Sequence, residues 1–112
     1  MLKGKEVKIK DLEPKRDYIY ITDFIDAIIR SLNINEFQIF NIGSGISYSV
    51  GEIIEMVQKI CGTDLPVISS AEKRQAEIMD TIADISKAKE LLNWVPVTSM
   101  YDGLSAIVQT YL

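Results

Sequence analysis

Two arginines stand where an anion could be met. Arg16 heads the run Arg16-Asp-Tyr-Ile-Tyr-Ile21, joined directly to aromatic and β-branched residues, and Arg74 lies in Lys73-Arg-Gln-Ala-Glu77, inside a stretch with no hydrophobic period. A guanidinium is a planar fork that meets phosphate oxygens two at a time, so two arginines at separate loop or strand-edge positions suit a pyrophosphate. Glu77 is placed to accept hydrogen bonds from a diol. Solvated surface charge, worth little to folding, is the competing reading of both stretches, and taken singly the residues leave the two readings open.

Other chemistry is closed off. There is no histidine and only one cysteine, Cys61, which excludes a zinc site of the usual ligands, a Ser-His or Cys-His nucleophile pair and an imidazole base. None of the five tyrosines has lysine four positions later, so the acid/base pair of many hydride-transfer enzymes is absent. Gly43-Ser-Gly45 follows an apolar run as a dinucleotide fingerprint would, yet Tyr48 stands where the third glycine belongs, and the stretch reads as a chain reversal. Cys61 falls on the apolar side of an expected helix and reads as core.

The residues that must position these groups belong to one domain at most. The 112 residues suffice to bury roughly 65% of the unfolded surface. With 47% hydrophobic and 25% charged residues the chain has globular composition, and no apolar run nears the roughly 18 residues of a membrane span. Met1-Leu-Lys-Gly-Lys-Glu6 has no apolar leader core, so a cytoplasmic setting is expected. A net charge of -4 without a basic stripe argues against nucleic acid.

Periodicity gives the elements. Lys5–Lys10 alternates as a half-exposed strand and is expected to form a ribbon with Tyr18–Ile21. Thr22 is expected to cap a helix that buries Phe24, Ile25, Ile28, Ile29 and Leu32. Phe37–Ile42 reads as an interior strand. Ser49-Val-Gly-Glu52 is a capping box for a helix with Val50, Ile53, Ile54, Val57, Ile60 and Cys61 inward, stopped at Gly62. Leu65–Ile68 is a short extended piece, and the polar stretch 69–80 is a loop. Asp84 caps a helix with Ile85, Ala88, Leu91 and Leu92 inward, Asn93 ends it, and Trp94 packs back. Ser99-Met-Tyr-Asp102 starts a last helix with Met100, Leu104, Ile107, Val108 and Tyr111 inward. The fold class is α/β, with helix dominating and a few short strands.

In order and spacing, Lys15-Arg-Asp-Tyr-Ile-Tyr-Ile-Thr-Asp23, Phe40-Asn-Ile-Gly-Ser-Gly45 with Tyr48-Ser-Val50, Arg74-Gln-Ala-Glu77, and Ala83-Asp-Ile-Ser-Lys-Ala-Lys-Glu-Leu-Leu-Asn-Trp94 with Pro96 and Thr98-Ser99 resemble the C-terminal part of the NAD-dependent epimerase/dehydratase family, the extended short-chain dehydrogenases. The resemblance covers nearly the whole chain. Asn93 and Gln75-Ala76 depart from it, standing where the family usually has Gly and a pair such as Pro-Gly.

The resemblance implies a single substrate-binding part over residues 1–112, without a complete Rossmann domain, in which Arg16 and Arg74 approach the diphosphate of a UDP- or dTDP-sugar and Glu77 its ribose. Asp17 then holds the local backbone or the arginine. The family's glycine-rich cofactor loop and Tyr-x-x-x-Lys pair lie N-terminal to the matched region. It follows that no NAD is expected on this chain alone, although the parent family uses it, and that hydride transfer needs a cofactor-domain partner. A non-enzymatic interaction module and one half of a split epimerase are the alternatives; self-association is expected in addition, since strand 37–42 without the cofactor domain has an exposed edge.

Overall fold

The computed structural model describes residues 5–111; the leader reading at Met1–Gly4 lies outside them. Eight short elements follow in order: β1 (Val7–Ile9), β2 (Lys15–Asp17), α1 (Ile21–Ser31), β3 (Ser47–Ser49), α2 (Val50–Cys61), β4 (Val67–Ser69), α3 (Ser86–Leu92) and α4 (Met100–Gln109). The class is mixed α/β with helix dominating.

Four locally encoded helix ends are where they were expected, whereas Asp84 stands one residue before Ile85, the N-cap of α3, and accepts from the Ser86 N–H and hydroxyl instead. The Ser49 hydroxyl accepts from the Glu52 N–H at 3.1 Å and that of Ser99 from Asp102 at 3.0 Å, each satisfying an orphan donor. Only half of the Ser49 box forms, because the Glu52 carboxylate turns to Lys15 at 3.5 Å. Gly62 and Asn93 close α2 and α3 in the left-handed region, at φ 69° and 51°.

Strand pairing departs from expectation. β1 pairs in parallel with β4 (Val7 with Val67), and β2 pairs antiparallel with β3 (Arg16 with Tyr48). Tyr18–Tyr20 joins no ladder and Tyr20 is the N-cap of α1, so the ribbon with Lys5–Lys10 does not form and Thr22 lies inside the helix. Phe37–Ile42 likewise joins no sheet: Gln38, Phe40 and Ile42 are half-buried while Phe37, Ile39 and Asn41 face out. An isolated strand needs a neighbour for its backbone donors and acceptors; among the described residues no strand lies beside this one, and Lys87 Nζ donates to its Ile39 carbonyl at 2.9 Å.

The core is small. Ala27, Ile85, Ala88, Leu92 and Trp94 form its centre, with Ile19, Ile34, Phe40, Ile42 and Ala83 packed against it. The radius of gyration is 16.7 Å, against about 13 Å for a compact domain of this length, and the principal extents are 52 × 37 × 15 Å. A slab this thin cannot bury every apolar stripe. Leu91, Ile107 and Tyr111, read as inward, are exposed, and Cys61 is only half-buried. The apolar stripe of α1 is also outside, while Asp23 and Ala27 are the residues it buries.

Two buried polar groups escaped the periodicity. The Asp23 carboxylate accepts from the Val97 and Thr98 N–H groups at 3.2 and 2.9 Å, and the Asp23 carbonyl accepts from the Trp94 indole at 3.0 Å. The Gln58 amide exchanges bonds with Leu65 and Thr63, closing the loop after α2.

Candidate functional site

β2 carries Arg16, and its free edge captures the far end of the 69–80 loop. The Lys15 N–H donates to the Met79 carbonyl at 2.7 Å and the Thr81 N–H to the Lys15 carbonyl at 3.1 Å. The near end is pinned by Ser70 and Glu72 N–H groups on the Ile9 and Lys10 carbonyls, and by Lys73 Nζ between Asp11 (3.0 Å) and Glu13 (2.8 Å). Residues 74–77 are thereby held beside Arg16. Ala71 and Ala76 take left-handed turns at φ 55° and 57° to make the path, a conformation that costs alanine about 1–2 kcal/mol.

The three residues singled out by sequence come together. Glu77, with its side chain 12% exposed, sits between the arginines: Oε1 is 3.0 Å from Arg16 Nη2 and Oε2 is 3.5 Å from Arg74 Nε. Arg16 is anchored further by Nη1, which donates to the carbonyls of Lys15 at 2.8 Å and Ile78 at 2.6 Å. Nε and the remaining Nη2 proton are left uncommitted by these bonds. The Arg74 side chain, in contrast, is 83% exposed. The anion that Arg16 faces in the structure is therefore a carboxylate of the chain itself. Two guanidinium groups and one carboxylate leave one net positive charge in the cluster.

Asp17 serves the backbone. Its carboxylate accepts from the Ser44 N–H and hydroxyl, both at 2.7 Å, from the Gly45 N–H at 2.9 Å and from the Ala83 N–H at 3.1 Å. Burial raises its pKa, yet the bonds from Ser44, Ala83 and Gly45 outweigh that and hold the carboxyl below its ordinary value. Gly43 is the close approach that permits this: a Cβ there would lie 2.6 Å from Asp17 Oδ2.

The same contacts decide what Gly43-Ser44-Gly45 can hold. A dinucleotide diphosphate is cradled by free N–H groups of a loop that opens a helix. Here the N–H groups of Ser44 and Gly45 are spent on Asp17, and β3 separates the loop from α2. These residues do not fit the diphosphate of NAD.

Sequence reasoning missed an apolar groove beside the cluster. Tyr48, the register partner of Arg16, and Tyr18, two residues further along the chain, line a cavity of about 570 Å³ with Ile53, Met100, Leu104 and Ile107. The alternation that puts residues 16 and 18 on the same side of an extended chain was the available signal.

The family model of GDP-mannose 4,6 dehydratase matches residues 1–107. The chain is 39% identical over 84 residues to the UDP-glucose 4-epimerase of Corynebacterium glutamicum, covering 72% of this chain and 25% of that protein. It is 37% identical over 106 residues to the UDP-glucuronate 4-epimerase of Thermodesulfobacterium geofontis, covering 93% and 32%. Among solved structures, the UDP-glucose 4-epimerase of Thermotoga maritima, determined with UDP-glucose, superposes with a TM-score of 0.90 at 33% identity, covering 99% of this chain and 36% of that one. The chain thus spans about a third of the length of the relatives it matches, or less.

Proposed function

Since the chain belongs to the NAD-dependent epimerase/dehydratase family, over a part of the length of its members, we propose that it is the nucleotide-sugar-binding part of such an enzyme. Arg16 and Arg74 take the diphosphate of a UDP- or dTDP-sugar from two sides, and Glu77 holds the two guanidinium groups and accepts from the ribose diol. The observation that carries this reading is the convergence of Arg16 and Arg74, from two separate stretches, on one half-buried carboxylate. A diphosphate replaces part of that carboxylate's role with a stronger, multiply accepting anion. The hydride chemistry belongs to the length of the relatives that this chain does not span, and NAD binds there rather than here.

The test is a titration of the chain with UDP followed by backbone amide NMR, which detects millimolar binding. Saturable shifts at residues 15–17 and 73–78 are expected, with Arg16→Ala and Arg74→Ala each weakening binding by about 10- to 100-fold. Lys59→Ala, on the exposed side of α2, serves as the control. Equal, small effects at all three positions, or no saturable shift, would return the arginines to plain surface charge.

A further inference from the structure

The two arginines of the candidate site are braced from one turn. Between the Glu72 N–H on the Lys10 carbonyl and the Lys15 N–H on the Met79 carbonyl, no backbone-to-backbone hydrogen bond among the described residues joins 73–78 to another segment. This strap is placed by side chains instead. Glu77 and the Ile78 carbonyl meet Arg16, and Lys73 Nζ lies 3.0 Å from Asp11 Oδ1 and 2.8 Å from Glu13 Oε2. Asp11 is prepared for that contact: Oδ1 also accepts from the Glu13 N–H at 3.1 Å, and its side chain is only 14% exposed. The turn ends on the buried Pro14, whose fixed φ stiffens it. Glu13 stands three positions before Arg16 and Lys73 one before Arg74, so the ionic triple braces the two chain segments from which the guanidinium groups rise.

What else holds the two arginines differs. Arg16 donates to Glu77 and to the Lys15 and Ile78 carbonyls, whereas Arg74 has, among the described residues, the single 3.5 Å contact to Glu77. The position of Arg74 is thus decided by its backbone, and the nearest fixed point on that backbone is Lys73. We propose that Lys73 is a positioning residue for diphosphate binding: it touches no ligand, its charge being spent on Asp11 and Glu13, and it acts through Arg74 by tying the strap to the turn that leads into Arg16. The role rests on the nucleotide-sugar reading for its ligand, while the brace itself is a property of the chain without ligand. Exposed ion pairs add little to folding. A strap that is free before binding, however, has to be ordered by the ligand, and affinity falls by that entropy.

Lys73→Met keeps the stem and removes the charge, and Lys73→Arg keeps both carboxylates within reach. Amide nitrogen relaxation of the ligand-free chain is expected to show residues 73–77 gaining nanosecond mobility in Lys73→Met and not in Lys73→Arg. The melting temperature should move by less than about 3 °C. UDP titration is expected to show affinity lowered about 5- to 10-fold in Lys73→Met and restored in Lys73→Arg. In an Arg74→Ala background, Lys73→Met should change affinity by less than about 2-fold, because the group it positions is gone. A strap as rigid in Lys73→Met as in the parent would overturn the brace whatever UDP does, and an equal loss of affinity with and without Arg74 would overturn the action through that residue. No UDP binding by the parent chain would overturn the nucleotide reading itself, and the positioning role with it, whether or not the strap loosens.

Discussion

The Asp17 carboxylate is seated on Ser44, accepting from its N–H and its hydroxyl at 2.7 Å each, so the residue next to the candidate anion-binding Arg16 also anchors the Gly43–Gly45 loop. Its remaining bonds to Gly45 and Ala83 join three separate segments at one side chain. Asp17→Ala leaves those donors without their acceptor and should cost about 3 kcal/mol, read by urea denaturation. Asp17→Asn should recover little, because its amide group turns protons toward protons.

The acid limb of stability should carry the signature of the same carboxyl. Its folded pKa lies below the ordinary 3.8, so its contribution is fully present above that value and is lost as pH falls through the lower folded one. Asp11, bonded to the Glu13 N–H and Lys73, and Asp84, bonded to Ser86, are shifted the same way and act in the same window. Asp17→Asn should therefore flatten, without abolishing, the loss of stability below about pH 4. An acid limb identical to the parent's would contradict the assignment.

Arg16 and Arg74 should separate in stability although the proposed function gives both to UDP. Arg16 ties Lys15, Glu77 and Ile78 together, so Arg16→Ala should cost about 1.5–3 kcal/mol in unfolding as well as affinity. The exposed Arg74 should give up less than about 0.5 kcal/mol on truncation. Lysine at either position should restore only part of the affinity, since it keeps the charge and loses the fork.

Small residues give a sharper contrast. Gly43→Ala forces a Cβ to 2.6 Å from Asp17 Oδ2 and 2.7 Å from Ala83 Cβ, and should destabilise by about 1–3 kcal/mol. Gly51→Ala, in the first turn of α2, meets Leu12 at an ordinary 3.6 Å and should stabilise by about 0.5–1 kcal/mol. Ala76→Gly relieves a left-handed alanine beside Glu77 and should gain up to about 1 kcal/mol. Thermal denaturation of the three variants checks all of these directions.

The chain alone should not bind NAD. Calorimetric titration is expected to give no saturable heat, because the N–H groups of Ser44 and Gly45 already face Asp17. Saturable binding by the parent chain would show that this loop can be released.

Much of the fold was legible in the residues. Ser49, Gly62, Asn93 and Ser99 fix helix ends because capping depends on atoms within a few positions of one another, and these ends stand as read. The residue types and order of Arg16, Arg74 and Glu77 identified candidates without showing that a single carboxylate would lie between two guanidinium groups. That convergence depends on β2 catching residues 79–81, a contact between distant stretches. Strand partners were misread for the same reason: alternation marks Val7–Ile9 as a strand but is silent on whether Tyr18–Ile21 or Val67–Ser69 lies beside it. Periodicity likewise put Ile25, Ile28 and Leu32 on one face of α1, and only the tertiary structure turned that face outward. An apolar stripe specifies that something covers it, and says nothing of whether the cover is made by the same 112 residues.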